Sequence, residues 1–565
     1  MEAEVSLIYP APAPLWHSTC RAQASRDHPG LARCCPNIAN TPPQIENAVE
    51  IAWNPSSEQS LKVQAYDYLN QVRSGPHAWQ PCLNLFVRES PRASEVVRLV
   101  CLEVVNSAIH TQGLDAASLS YLKDTLLEYI RRTYGRSGAE PDQPHLQNKL
   151  CQTMTYLFVF LYRDGWPDFV SDFYSLTAAP DGAPKDNAPG VIFYLRMLAS
   201  IHDEIADMLL SRNQQDAKRN VDLKDQIRAQ DMTGIAQTWK ELLAHYQTQN
   251  DQIVEMLLRL IGKWVSWMDI SLVVSEDFLV MLLPLVGRAN QSGSEDKVRD
   301  AAVDALTEIA GKKMKNADKM RMIGFLNLRE IVSQLVSSPP LQDLKSTPHY
   351  DTDLAEAVAK LVNTVMADIV RVLEGNEDDE TKSLADRHLH DFVPFLLRFF
   401  SDEYDEVCST VIPSLTDLLT AFRKMTNLPS SYSEMLPPIL NAIILKMRFD
   451  ETSTWGDQDE QTDEAEFQEL RKRLQVLQKT VATVDQNLFL EVISNLVANT
   501  FQTLEQQGSQ MDWRDLDVTL HEMYLFGELA LPNQTMLAKN DRPTAASERL
   551  AVMVKTMVES GKFPR

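Results

Sequence analysis

DKVRDAAVDALTEI, the stretch from Asp296 to Ile309, places Val298, Ala302, Leu306 and Ile309 at steps of three and four. That spacing puts all four on one stripe of an α-helix. Asp296 stands where a helix N-cap is wanted, with Arg299 one turn in. Ala302 at the centre of the stripe leaves room for a neighbouring helix to approach closely. Glu95–Val104 and Asp405–Leu415 repeat the pattern more loosely. A single helix of this kind cannot bury its own apolar stripe. Repeated along a chain, such helices stack into one continuous core, which is the logic of an α-solenoid.

The rest of the chain agrees. From about residue 44 onward it reads as helix after helix, with only 19 glycines in 565 residues and no sustained strand-like alternation. Glu58–Arg73 carries Leu61, Ala65, Tyr68, Leu69 and Val72 on one face and ends at Gly75-Pro76. Further helices are predicted near 76–89, 92–112, 116–134, 143–163, 166–176, 188–211, 215–229, 231–247, 250–268, 274–287, 295–312 and 315–337. A last set falls near 350–374, 380–400, 404–425, 430–448, 462–483, 485–506, 513–530 and 545–560. Residues 1–43 hold seven prolines, three of the seven cysteines and no helical period, so a flexible Pro-rich extension is expected there.

Composition bounds the function. Hydrophobic residues make up 44%, enough for a large core, and the odd cysteine count without a CxxC pair suits a reducing compartment. The longest apolar run, Phe278–Val286, is too short to span a bilayer and contains Pro284, so no membrane insertion is expected. No secretory signal is evident at the N-terminus. No Gly-rich phosphate loop, GxSxG elbow or HExxH motif occurs, and no cofactor or metal site is expected. His388 and His390, two apart on a helix, face different directions and do not form a metal pair. Cys34-Cys35 reads as an inert pair in the extension.

Charge is the more informative signal. The formal net charge is −24, which argues against indiscriminate nucleic-acid binding. It is unevenly placed: residues 1–350 hold 41 acidic and 34 basic side chains, residues 351–565 hold 37 and 20. Within the first part, residues 301–350 are net positive, and Lys312, Lys313, Lys315, Lys319 and Arg321 crowd one helix-to-helix connection. Such a cluster is either a solvated loop or a phosphate-contacting patch. Asp450–Glu469 is its opposite, nine acidic residues without a basic one, followed abruptly by Arg471, Lys472 and Arg473. It reads as a mobile acidic loop or as a latch for a basic partner.

Several stretches resemble a known family. Asp296–Ile309 is similar to the inner helix of a HEAT repeat, implying an all-α, HEAT-repeat (ARM-like) α-solenoid superhelix. IENAVEIAWNPSS, from Ile45, followed by a helix and Ala78-Trp79, resembles the N-terminal region of the importin-β-type karyopherins. His145–Leu150 through Trp166-Pro167-Asp168-Phe169 resembles the exportin signature. Trp264–Leu272, Lys313-Met314 with Asp318-Lys319-Met320, and Phe449–Glu451 with Asp463–Phe467 and Arg471-Lys472 point to the exportin-T branch and its fungal members. The resemblance runs in order over about 44–562. It implies importin-β-like repeats over 44–135, exportin-1-like repeats over 136–294 and further HEAT repeats over 295–565. Members of that branch continue for about as long again, so this is expected to be an N-terminal portion.

The resemblance implies no enzyme. It implies a monomeric export receptor that binds tRNA cooperatively with Ran-GTP in the nucleus, contacts nuclear pore proteins, shuttles between nucleus and cytoplasm, and releases its load after GTP hydrolysis. Lys312, Lys313, Lys315, Lys319 and Arg321 are then the tRNA-contact candidates. Gln64, Arg92, Arg98, Asn148, Lys149 and Gln152, polar positions on the early helices, are the Ran-contact candidates. Trp264 and Trp267 fit the core better than a stacking platform for an RNA end. A karyopherin-like scaffold or a transport receptor for protein cargo is the alternative, and an all-helical enzyme the remaining one.

Overall fold

The computed structural model describes residues 41–560 except 112, 136–139, 180–184, 208, 289–295, 343–349, 452–460 and 531–541. Every regular element among the described residues is helical. The stripe of Val298, Ala302, Leu306 and Ile309 lies on a helix, Lys297–Gly311, and all four residues are buried. Asp296 caps it, its side chain accepting from the amides of Val298 and Arg299 at 3.1 and 3.2 Å. Close approach follows from the small residues. A Cβ added to Gly262, on the preceding stacked helix, would stand 3.6 Å from the Ala305 Cα.

Two rows of helices result. In the first, Glu95–Thr111, Pro144–Leu161, Ala188–Ile205, Asp251–Val265, Lys297–Gly311, Thr352–Glu374, Asp405–Lys424 and Gln461–Val484 each pack on the next. The second contains Trp79–Val87, Ala116–Tyr134, Phe169–Tyr174, Met232–Tyr246, Glu276–Val286, Asp379–Phe400 and Leu436–Lys446. Its members touch one another far less than members of the first row do. A double layer with one row closer-spaced than the other bends toward the close row, so the first row forms the concave side. One apolar core runs the length of the stack. Gln486–Gln507, Trp513–Ala530 and Ala545–Ser560 complete the described chain.

Four sequence expectations change. The first helix begins at Pro42, inside the expected extension, because proline suits the first helical turn and Thr41 precedes it as cap. Residues 1–40 lie outside the described residues. The single helix expected over 315–337 is two, Asn316–Phe325 and Leu328–Val336, broken at Asn327, whose φ of 50° is left-handed. The helix expected over 430–448 is likewise Ser430–Ser433 and Leu436–Lys446, restarted by Pro437 and Pro438. The second half of the acidic loop expected over 450–469 is helix, from Gln461 onward, while 452–460 lie outside the described residues.

Trp264 and Trp267 are core. Trp264 is fully buried, donates from Nε1 to the Leu198 carbonyl at 3.2 Å, and meets Trp239 edge-on with ring centres 5.6 Å apart. Cys82, Cys101, Cys151 and Cys408 are buried free thiols. His388 is buried against the Met320 carbonyl, 3.1 Å from Nε2, and His390 faces solvent.

A charged hub ties the early repeats together. The Asp142 carboxylate, with no exposed surface, accepts from Arg92 at 2.5 Å, Arg98 at 2.7 Å, Tyr129 at 2.7 Å and Tyr134 at 2.9 Å. Burial alone would push its proton affinity up; Arg98 and the tyrosine hydroxyls outweigh it and hold the carboxyl below the usual range. Its stabilisation is therefore present above the ordinary carboxylate range and is lost as pH falls through the lowered folded value. Arg98→Ala leaves that charge without its buried counterion and is expected to cost about 3–5 kcal/mol. Thermal unfolding checks this, and Asp142→Asn is expected to flatten the acid limb of the stability profile.

Candidate functional site

Concave-row helices meet neighbours end to like end, which gives the row two chemically different edges. At the C-terminal edge, Lys263 reaches Asp203 at 2.8 Å, and Lys424 reaches Glu374 at 2.7 Å. At the N-terminal edge, Arg288 bridges Asp251 at 2.7 Å and Asp296 at 3.1 Å, and Arg299 reaches Asp351 at 2.5 Å. The first edge carries the free carbonyls of the last helical turns, the second the free amides of the first turns.

The basic connection lies at the C-terminal edge, and its five cations divide by role. Lys312 is the C-cap of Lys297–Gly311, and its Nζ donates to the carbonyls of Val265 and Ser266 at 2.8 and 3.3 Å. Lys319 is buried, donates to the Ala310 carbonyl and pairs with Asp368 at 3.0 Å. Burial lowers the proton affinity of both ammonium groups; for Lys319, Asp368 opposes the effect. Lys319 is thus no surface cation, because a carbonyl and a carboxylate inside the fold consume it, and Lys312 is largely committed in the same way. Lys313, Lys315 and Arg321 are exposed. Arg321 has only loose neighbours, Glu380 at 3.7 Å and Asp318 at 3.9 Å. The turn after Thr352–Glu374 brings acid alongside, with Glu377 accepting from Asn316 Nδ2 at 2.8 Å.

Sequence reasoning missed the cations that join this edge from other repeats. Lys263, Arg371 and Lys424 are exposed at the ends of three other concave-row helices. They stand one or two repeats apart in sequence, so no local run reveals them. The signal available was a cation in the last turn of each of these three helices.

The six early candidates do not form one patch. Arg98 is withdrawn from the surface, since it is 2% exposed and held by Asp142, Tyr129 and the Phe86 ring. Arg92 shares Asp142 but keeps an exposed flank. Gln64 is exposed on Gln59–Ser74, which packs on Pro42–Trp53. Asn148, Lys149 and Gln152 lie together on Pro144–Leu161. Asn148 accepts from Arg196 at 2.6 Å, and Gln152 accepts from Asn106 at 3.4 Å. Asn148 and Arg196 belong to a groove across three concave-row helices, completed by Ser200, Asp203, Arg259 and Lys263. Arg196 is its least compensated charge, paired with a neutral amide while its Nε has no partner.

Of the three cations after the acidic stretch, Arg471 is structural. It donates to the Met447 carbonyl at 2.8 and 2.6 Å, pairs with Asp517 at 2.5 Å, and lies over Phe449 and Phe467. Glu466 and Glu469 face a shallow groove shared with Asp405 and Glu406. Among the described residues no cluster of His, Cys, Asp and Glu could hold a metal, and no helix is long and apolar enough to cross a membrane.

Comparison with known proteins agrees with this architecture. The sequence model of the Exportin-T family matches residues 379–563, and that of exportin 1-like proteins matches 143–306. Exportin-T of Podospora anserina is 65% identical over 520 residues, covering 92% of this chain and 51% of that protein. Exportin-T of Neurospora crassa is 58% identical and that of Aspergillus oryzae 53%, each over 92% of this chain and 51% of the relative. The chain thus spans about half the length of the curated relatives it matches. A solved structure titled "Importin13 cytosolic state" superposes with a TM-score of 0.52 at 12% identity, over 79% of this chain and 51% of that one. It shares the helical-repeat solenoid. With more than half of the residues identical to several fungal exportin-T proteins across nearly its whole length, the chain belongs to the exportin-T family.

Proposed function

We propose that this chain is part of a nuclear export receptor that carries tRNA together with Ran-GTP, shuttles between nucleus and cytoplasm past nuclear pore proteins, and releases its load after Ran hydrolyses GTP. The observation that carries the reading is the exposed set Lys313, Lys315 and Arg321 at the C-terminal edge of the concave row, in a chain so close to proteins named Exportin-T. Exposed ammonium and guanidinium groups neutralise phosphates without reading bases, which suits an A-form RNA recognised by shape. Lys263, Arg371 and Lys424 extend the same line of charge. Lys312 and Lys319 act by holding the connection in place. Ran would meet the early repeats through Gln64, Arg92, Asn148, Lys149 and Gln152, with Arg98 setting their frame. A flexible double-layered arc orders at a cost when the first ligand closes it; the second then binds more easily.

A protein-cargo receptor is the competing reading, favoured by the carboxylates beside Arg321. Salt dependence separates the two. The triple variant K313E/K315E/R321E is expected to reduce the slope of log affinity for tRNA against log salt by about 2–3, one per lost phosphate contact. An unchanged slope removes these residues from the interface. Lys319→Ala is expected to behave differently, lowering stability by about 1–3 kcal/mol through its orphaned partners. Lys313→Ala is expected to stay within about 0.5 kcal/mol of the parent in thermal unfolding. With Ran locked in its GTP state, tRNA affinity is expected to rise about 5–150-fold. Equal affinity with and without Ran-GTP would remove the cooperative part of the proposal.

A further inference from the structure

Glu522, on Trp513–Ala530, and Gln478, on Gln461–Val484, are both fully buried and face each other across the helix interface. Gln478 Nε2 donates to Glu522 Oε2. Two atoms of the pair are left over: Glu522 Oε1 and Gln478 Oε1 have no hydrogen-bond partner among the described residues. Both are oxygens, and a carboxylate and an amide carbonyl can only accept, so in the ionised state neither can satisfy the other. One proton satisfies both. A carboxylic acid carrying its hydrogen on Oε1 donates to Gln478 Oε1, closing the two-bond ring that an acid and a primary amide form side by side. We propose that Glu522 is a neutral carboxylic acid paired in this way with Gln478, and that its proton locks the joint between helices Gln461–Val484 and Trp513–Ala530, which loosens when the proton leaves.

The surroundings favour the neutral form. Thr500 and Thr519, buried nearby on the packed helices, bond to each other at 2.9 Å and carry no charge. The charge reaching Glu522 across the interface is Arg471, which is already engaged by Asp517 and the Met447 carbonyl. Asp517 and His521 are the other titratable groups adjoining it on its own helix. Burial pushes its carboxyl up to about 7 from an ordinary 4.5, against the Gln478 bond and Arg471.

The sign is fixed by linkage. Between pH 4.5 and 7 the closed joint holds a proton that the opened state has lost, so opening becomes easier as pH rises and levels off above about 7. His521 works in the opposite direction. Burial lowers its proton affinity, so it favours opening as pH falls. A loss of protection with rising pH therefore reports Glu522. The test is hydrogen exchange, read by mass spectrometry on peptides from Trp513–Ala530 of the whole chain and corrected for the pH dependence of chemical exchange. In His521→Gln, where nothing opposes Glu522, protection is expected to fall about tenfold per pH unit between about 5 and 7 and to be level above, while in the parent His521 makes the fall shallower below about 6.5. Glu522→Gln keeps both hydrogen bonds as an amide pair at every pH and is expected to abolish the fall, leaving only the opposite trend of His521. A profile that is flat or rises with pH in H521Q overturns the proposal, as does a fall that survives in E522Q. Should E522Q disturb packing, the H521Q profile decides the matter by itself.

Discussion

Stacking parallel helices side by side creates the constraint on which the rest of this structure depends. Each helix leaves four carbonyls at one end and four amides at the other without intrahelical partners. In a single globule these ends scatter over the surface. Here they are gathered on two edges, and the edges acquire opposite chemistry. Asn250, Asp296 and Asp351 accept the amides of three successive concave-row helices. Arg212, Lys312 and Lys319 donate to the terminal carbonyls of Ala188–Ile205, Asp251–Val265 and Lys297–Gly311, each reaching from the segment that follows or from the next repeat. The helix dipoles favour this arrangement of charge, so capping and electrostatics reinforce each other.

That constraint explains why a run of cations in sequence is a poor guide to a binding patch. Lys312 and Lys319 differ from Lys313 and Lys315 in no compositional sense. They differ because helix geometry turns the first pair toward carbonyls and the second toward solvent. The same sorting separates Arg98 from Arg92 and Arg471 from Lys472. Lys319, Arg98 and Arg471 lie on the buried side of their helices and meet a carboxylate there, and Lys312, at a helix C-cap, meets carbonyls. A buried cation of this kind supports the surface that its neighbour presents.

The repeat architecture was legible because it is local. Periodicity at three and four, the Asp at the cap and the central Ala all lie within fourteen residues of Asp296–Ile309, and they describe the helix found there. The core assignment of Trp264 and Trp267 was legible for the same reason. What was not legible depends on a single backbone angle or on distance in sequence. Nothing around Asn327 announces a left-handed residue, and Pro42 and Pro43 looked like tail until Thr41 was seen to cap them. Lys263, Arg371 and Lys424 join one edge only after stacking. The Asp142 hub gathers residues from 92 to 142, and the Glu522–Gln478 pair spans two helices. Neither has a sequence signature, since buried polar groups are recognised by their partners.

The net charge of −24 takes on a different meaning once the edges are known. Many of the carboxylates are structural, as N-caps at one edge and as counterions such as Asp142, Asp368 and Asp517 within the fold. They do not stand free to repel an anion. Many of the cations are equally committed, which leaves a sparse set of exposed ones at the C-terminal edge, spaced by the repeat and interleaved with Glu374, Glu377 and Glu380. A sparse, interleaved line of charge attracts a generic polyanion weakly, because each phosphate neutralised sits close to a carboxylate. It favours a rigid polyanion whose phosphates match the repeat spacing, since only that ligand reaches several cations at once. Under the proposed function, the acid beside the basic edge is then part of how the arc discriminates shape, and selectivity comes from the geometry of the stack more than from the number of its lysines.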